Sequence, residues 1–331
     1  MATTAIAILN YNGKDHLEKF LPSLLKHSTN IPIYIGDNAS TDDSIYFLQN
    51  QYPEITLITF SENYGYSKGY NKLLAQVEEN YIALVNSDIE VTENWLAPLI
   101  NILDKGKNTA AVQPKIKSYH NKNLFEYAGA AGGYIDTYGY PFCRGRIFNT
   151  LEKDIGQYDN LQSIAWASGA CFLVRKSAFD SVGGFDDDFF AHMEEIDLCW
   201  RFTGKGFSIQ FTPKSTVYHV GGGTLAYESP FKTYLNFRNG LYLLIKNLPT
   251  SEIKKKIFIR VLLDWLSAFY FLLQGKGKQF IAVFKAHIKV LKNWRYFYAK
   301  RPPSTSDKRI LEPYSIVWQY FVNRKNKFNQ L

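Results

Sequence analysis

Cysteine is scarce in these 331 residues: Cys143, Cys171 and Cys199 are odd in number, widely spaced and form no C-x-x-C pair. That pattern excludes a disulfide framework and a zinc-finger cage, and it fits a reduced cytoplasmic compartment. A long uninterrupted apolar run is missing as well. Residues 257–273 come nearest, but Arg260 and Asp264 interrupt them, and the run is shorter than the about 20 residues that span a bilayer. The opening MATTAIAILNYNG has no basic stretch followed by an apolar one, so no secretory signal is expected. Charged residues make up only 21% against 46% hydrophobic, which excludes a disordered tract and allows one large core with an appendage.

Acidic residues are absent from 274–301, where eight Lys or Arg are interleaved with Phe280, Phe284, Trp294, Tyr296, Phe297 and Tyr298. The net charge of +8 is local: residues 1–250 hold 21 Lys and Arg against 26 Asp and Glu, whereas residues 251–331 hold 17 against 4. Basic residues alternating with aromatic anchors describe a helix lying on an anionic membrane surface, and they equally describe helices packed on a body with a solvated basic face. The division expected is a catalytic domain over 1–250 and a basic, aromatic, helical region over 251–331.

The first half alternates short apolar runs with polar loops. Residues 4–9 read as a buried strand ending in Asn10-Tyr11-Asn12-Gly13, followed by Leu17, Phe20, Leu21, Leu24 and Leu25 at helical spacing. Residues 31–35, 55–59 and 81–85 repeat the unit, closed by DNASTD, by the glycine-containing loop 63–71 and by Asn86-Ser87-Asp88. Strand, loop and helix in alternation predict a parallel α/β sheet, whose ligands sit beyond the carboxyl ends of its strands, where Tyr11, Asp37 and Asn38 fall. DNASTD also reads as a plain helix N-cap, and Asp88 as a turn former.

The densest chemistry lies in residues 168–201. Phe189, Phe190 and Met193 surround Glu194, Glu195 and Asp197, and apolar neighbours raise a carboxylate toward the range where it accepts a proton in catalysis. In a helix starting near Met193, Asp197 and Arg201 pair at i, i+4, Glu194 projects with them, and Glu195 is left without a helical partner. The same acids fit a simple charge arrangement at a helix start.

Together, NYNG, DNASTD, ENYGYSKGYN, NSD and HMEEIDLCWR resemble the inverting glycosyltransferases of family 2, and within them the rhamnosyltransferase-like group of bacterial cell-surface polysaccharide synthesis. The resemblance covers residues 4–248. It implies a GT-A fold, a Rossmann-like mixed sheet flanked by helices, with residues 1–115 holding the nucleotide sugar and 116–250 the acceptor. It further implies that Tyr11 stacks on the donor base, that Asp37 bonds the base ring N–H, and that Asn63 and Asn71 line the nucleotide pocket, with Asn38 and Ser87 beside them. Asp88 stands at the metal-binding aspartate for Mg²⁺ or Mn²⁺, His219 at a further metal ligand and Glu195 at the catalytic base. Asn86 departs from the expected first acid of the metal motif, and Glu195 from the commoner aspartate.

Two regions lie outside these motifs. Residues 119–148 read as hairpins whose aromatic and glycine content suits sugar faces or a plain β excursion. Arg238 follows the loop at 224–230, and its fork suits a diphosphate, although a surface arginine is the competing reading. The function expected is transfer of a sugar, such as rhamnose, from a dTDP- or UDP-linked donor to a lipid-linked or polysaccharide acceptor, by a protein peripheral on the inner face of the cell membrane through residues 251–301, with no nucleic-acid partner. A nucleotidyltransferase of similar fold would need a basic glycine-rich loop after the first strand, and a non-catalytic basic module would leave the motifs at the strand ends without a purpose.

Overall fold

The computed structural model describes residues 2–221, 229–302 and 310–331. Most of the loop expected at 224–230 lies outside these residues. Parallel strands β1 (Thr4–Asn10), β2 (Ile33–Asp37), β3 (Thr56–Thr59) and β4 (Tyr81–Val85) are joined through helices α1 (Lys14–His27), α2 (Ser44–Gln51) and α3 (Gly65–Leu74). The apolar spacing in α1 places Leu17, Phe20, Leu21 and Leu24 against the sheet. β5 (Ile89–Val91), α4 (Ala97–Lys105) and β6 (Thr109–Ser118) follow.

A second, small sheet forms from β7 (Gly133–Ile135), β8 (Pro141–Cys143), β9 (Arg146–Ile147) and β10 (Thr150–Leu151), the hairpins expected over 119–148. β11 (Gln162–Ile164), β12 (Cys171–Arg175) and β13 (Ser208–His219) return to the main sheet, with α5 (Lys176–Ser181) and α6 (Glu194–Gly204) between the last two. The main sheet runs β11-β13-β6-β12-β4-β1-β2-β3, with β5 on β13. β12 is antiparallel to both neighbours, so the sheet is mixed and flanked by helices.

One local expectation changes. Residues 63–71 were expected as a loop on their glycines, but helix α3 starts at Gly65. The glycines serve close packing: a Cβ on Gly69 would lie 2.8 Å from the Leu9 side chain, and Gly65, at φ +71°, abuts the ring and carbonyl of Phe190.

Helices α7 (Pro230–Asn247), α8 (Thr250–Leu273) and α9 (Gly277–Ala299) complete one packed layer. Tyr242 and Phe297 stack at 3.6 Å between α7 and α9. The two charges that interrupt the apolar run are buried together: Arg260 Nε donates to Asp264 Oδ1 at 2.8 Å, Tyr140 donates to the same oxygen at 2.8 Å, and His287 Nε2 lies 3.3 Å from Asp264 Oδ2. The division expected at residue 250 is therefore crossed by buried contacts. The chain after residue 310, which sequence reasoning left unplaced, covers the small sheet. Leu311 bridges Ile135, Ile316 N donates to Asp136 Oδ2 at 2.9 Å, and Tyr320, on α10 (Ile316–Phe321), bonds Thr150.

Candidate active site

The backbone before α6 is held where side-chain-bearing residues rarely sit. Phe190, His192 and Met193 have φ of 66°, 69° and 72°, a conformation that costs roughly 1–3 kcal/mol each and persists only where the surroundings impose it. Asn239 of α7, fully buried, donates Nδ2 to the carbonyls of Phe189, Ala191 and His192 at 3.0, 2.9 and 2.8 Å. The free N–H groups at the start of α3 supply the opposite clamp: Tyr66 and Ser67 donate to Phe190 O at 2.7 and 3.3 Å.

Two residues expected at the donor, Asn71 and Arg238, make bonds to this part of the chain. Asn71 donates to Phe185 O at 2.8 Å and Asp187 Oδ1 at 2.7 Å and accepts from Phe185 N at 2.9 Å. Its amide thus bonds the acidic loop. Arg238 donates Nη2 to the carbonyls of Asp188 and Phe189 at 3.3 and 3.0 Å and Nε to Asn239 Oδ1 at 2.8 Å. The fork expected at a diphosphate braces the turn.

The three acids separate by environment. Asp197 is fully buried and accepts from Arg201 Nε, Lys246 Nζ and Asn247 Nδ2, each at 2.8 Å. Burial pushes its carboxyl up, but Lys246 and Arg201 outweigh that and hold it well below the usual range. The Asp197–Arg201 pair is thus present as expected, while Glu194 does not share it. Arg201 turns instead to Val182 O at 2.7 Å, and Glu194 Oε2 is buried without a partner. Burial and the neighbouring Glu195 hold the Glu194 carboxyl well above its ordinary value. Glu195 Oε2 is also buried and unpartnered, and burial pushes this carboxyl up to about 7.

Among the described residues ten buried side-chain N or O atoms lack a partner, and three belong to residues 192–195. The third is His192 Nε2; burial, then Lys232, push that imidazole down to about 4, so it is neutral. Unsatisfied groups gathered in one strained turn mark a place prepared for something other than stability.

The strand ends close the other side. Asn86 N donates to Ala170 O at 2.9 Å, and a Cβ on neighbouring Gly169 would lie 3.9 Å from that of Glu195, so the NSD segment and Glu195 meet around residues 169–170. Asp88, buried, has Oδ1 3.2 Å from His219 Nε2 and accepts from Gly221 N at 3.2 Å. On the far side of the imidazole, Nδ1 lies 3.3 Å from Glu126 Oε2, an ion-pair distance at an angle poor for a hydrogen bond. Burial works against the imidazolium, but Glu126 and Asp88 outweigh it and push His219 up to about 10.

No group of three or more His, Cys, Asp or Glu among the described residues is arranged to hold a metal ion. Once the imidazole gives up its proton, the oxygen of Asp88 and the nitrogen of His219 suit a divalent cation that completes its shell with phosphate oxygens and water, the usual habit of Mg²⁺. Glu126, one ring-width behind His219, matches the carboxylate that orients a metal-binding imidazole.

At the donor end, Tyr11 is 39% exposed on the rim, where a flat ring can lie on it. Asp37 is fully buried: Oδ1 accepts from Ser40 N at 2.8 Å, and Oδ2 from Asn10 Nδ2 at 2.9 Å and Ser40 Oγ at 2.7 Å. Asn38 donates to Asn63 Oδ1 and Gly65 O, both at 3.0 Å, and accepts from Tyr64 N at 2.9 Å. Asn63 also accepts from Gly65 N at 2.9 Å. These residues shape the loops at the strand ends, and their bonds to one another compete with any bond to a base. Ser87 is half-buried, its Oγ 3.3 Å from the position of a Cβ on Gly13.

The family described as Glycosyl transferase family 2 matches residues 5–183, more than half of the chain. The chain belongs to glycosyltransferase family 2. It is 27% identical over 231 residues to the N-acetylglucosaminyl-diphospho-decaprenol L-rhamnosyltransferase of Mycobacterium tuberculosis, covering 65% of this chain and 75% of that one. To the rhamnosyltransferase WbbL of Escherichia coli it is 25% identical over 223 residues, 65% and 82% of the two chains. Among solved structures, GalNAc-T7 with UDP, GalNAc and Mn²⁺ superposes at a TM-score of 0.60 and 16% identity, over 98% of this chain and 57% of that chain. The Pyrobaculum calidifontis mannosyltransferase with GDP-Man and Mn²⁺ gives 0.54 and 12%, over 90% and 84%. The protein is a rhamnosyltransferase-like glycosyltransferase of GT-A-like fold.

Two residues of this glycosyltransferase escaped sequence reasoning. Glu126 lies in the hairpin region, 93 positions before His219, with no motif around it. His192 had a local signal, its place two residues before the paired glutamates.

Proposed function

We propose that this glycosyltransferase moves a sugar, with rhamnose first, from a dTDP- or UDP-linked donor to a lipid-linked acceptor, with Glu195 as general base and inversion at the anomeric carbon. The observation that carries the reading is the Glu195 carboxyl, whose Oε2 is buried and unpartnered and which is pushed up to about 7, directly after a strained turn and beside the NSD segment. A base poised near the working pH takes a proton and still drives the transfer. The acceptor hydroxyl gives its proton to Glu195; its oxygen forms the new bond to the anomeric carbon from the face opposite the diphosphate, and the bond from that carbon to the phosphate oxygen breaks. Asp88 and His219 would hold the divalent cation, Mg²⁺ or Mn²⁺. When bound there, such an ion neutralises the charge on the departing diphosphate. Tyr11 on the rim offers its ring to the donor base.

The acceptor class follows the mycobacterial relative, which is named for an N-acetylglucosaminyl-diphospho-decaprenol. A polysaccharide acceptor is the alternative. Among the described residues no helix is long and apolar enough to cross a membrane. The protein is proposed to sit instead on the inner membrane face through residues 251–301. Exposed Phe258, Leu262, Leu266, Phe269 and Leu273 recur along one side of α8, and the neighbouring segment 274–301 is basic without acid.

Single-turnover transfer from dTDP-rhamnose to an N-acetylglucosaminyl-diphosphate lipid tests the reading. Glu195→Gln is expected to lose roughly 10²–10⁴ in rate with the donor's Kd nearly unchanged, the contribution of a positioned base. Near-wild-type turnover in that variant would move the base elsewhere.

A further inference from the structure

Beside the catalytic turn, a groove of about 660 Å³ runs between the first turn of α7 and one side of α9, within the range of about 300–1,000 Å³ usual for ligand clefts. Phe231 and Tyr234 form one wall and Ile281 and Ile288 the other, and Lys285 and Lys289 are on its basic bank. Phe231 and Ile288 are 47% and 37% exposed, so apolar surface that a folded chain ordinarily covers is open here. The lysines have no acid near them in sequence, since residues 274–301 contain none. An apolar floor beside a row of cations complements one kind of molecule, a long hydrocarbon chain carrying an anionic head.

The groove leads to the chemistry. The Phe231 ring lies 6.4 Å from the ring of Phe190, the strained residue four positions before Glu194. A head group at that end of the groove stands next to the turn that carries Glu195.

We infer that this groove binds the isoprenoid diphosphate part of the acceptor, the apolar chain between α7 and α9 and the diphosphate against Lys285 and Lys289. The inference rests on the lipid-linked acceptor reading above and adds to it the place of binding. It makes α9 part of the acceptor site, and it gives the local excess of lysine a recognition role besides attraction to a surface.

The test uses the full-length protein and farnesyl diphosphate, with inorganic diphosphate as the head alone and farnesol as the tail alone, titrated by calorimetry in detergent-free buffer. Farnesyl diphosphate is expected to bind at least tenfold more tightly than either part. Ile288→Asp and the double variant Lys285→Glu/Lys289→Glu, both on exposed surface, are each expected to weaken it at least tenfold, with an unchanged melting temperature and unchanged dTDP or UDP binding. Wild-type affinity in both variants, displacement of the probe by dTDP, or tighter binding of an acidic amphipathic peptide than of farnesyl diphosphate would each overturn the inference. Failure of the acceptor reading looks different. If farnesyl diphosphate binds as expected but no prenyl-diphosphate sugar accepts the donor sugar, the groove stands and the acceptor changes. If such a sugar accepts as well in Ile288→Asp as in wild type, the acceptor stands and the groove does not serve it.

Discussion

Glu194 and Glu195 are adjacent in sequence, and each has its Oε2 buried without a partner. Burial and the neighbouring Glu195 hold the Glu194 carboxyl well above its ordinary value, and burial pushes that of Glu195 up to about 7. Glu194→Gln keeps the shape of a side chain held toward its neutral form, and turnover is expected to persist. Stability should change more. A carboxyl whose folded pKa is raised above its unfolded value stabilises the protein below about 4.5, and that contribution drains away as pH rises through the folded value, on the order of 1 kcal/mol per pH unit for each group. Thermal melts from pH 5 to 8 are expected to show Glu194→Gln gaining on wild type as the pH rises; parallel curves would mean that Glu194 is ionised. Glu126 faces the far side of His219 at 3.3 Å. Glu126→Ala is expected to weaken Mn²⁺ binding about 10–100-fold, the usual loss when an orienting carboxylate is removed, with metal-free dTDP binding unaffected in titration calorimetry. The apolar setting of Glu195 at a helix start was legible in the sequence because its neighbours lie within a few residues of it. Glu126 was not, since only the folded sheet brings it to His219.

Between elements, a buried lysine of α7 and a half-buried one just after α9 hold the acidic loop. Lys246 joins Asp186 and Asp197 at 2.7 and 2.8 Å, and Lys300 reaches Asp186 at 2.5 Å and also bonds Asp188. Asp197→Asn removes the charge that Lys246 and Arg201 share, and breaking a buried pair costs roughly 3–5 kcal/mol; denaturant unfolding should show that loss. Because the folded Asp197 and Asp186 carboxyls lie below their unfolded values, the stability they give is present above about pH 4 and lost on further acidification. The Asp197–Arg201 link could be read from a four-residue spacing. The link to Lys246 spans 49 positions, and no periodicity announces it. The same distance explains Asn71 and Arg238: both residue types suit a phosphate or a base, and only the fold shows their hydrogen bonds turned toward the acidic loop.

For the molecule as a whole, the positions of β1 to β4 and of α1 were legible, since buried parallel strands are continuous apolar runs, whereas the order of the strands in the sheet was not. The C-terminal helices were half legible. Arg260 and Asp264 mark the run as unfit for a bilayer, but that they pair beneath Tyr140 follows from packing alone. Deleting residues 251–331 would uncover α7 and leave Tyr140 without Asp264, so point changes on the exposed face are the better probe of a membrane role. Leu266→Glu/Phe269→Glu is expected to reduce sedimentation with phosphatidylglycerol vesicles several-fold without lowering the melting temperature. Wild-type recovery in the pellet would remove the membrane surface from the proposal.

The cover on the small sheet sets an order in time. Phe328 N meets Glu152 across 176 positions, and Phe142 and Tyr134 pack on the Phe328 ring at 6.1 and 4.9 Å. A ribosome adding about 5–20 residues each second needs roughly ten to thirty seconds to make the residues between them. For that interval the aromatic face of the hairpins has no lid, and a nascent chain with a bare aromatic hairpin is what a trigger-type chaperone or a protease meets first.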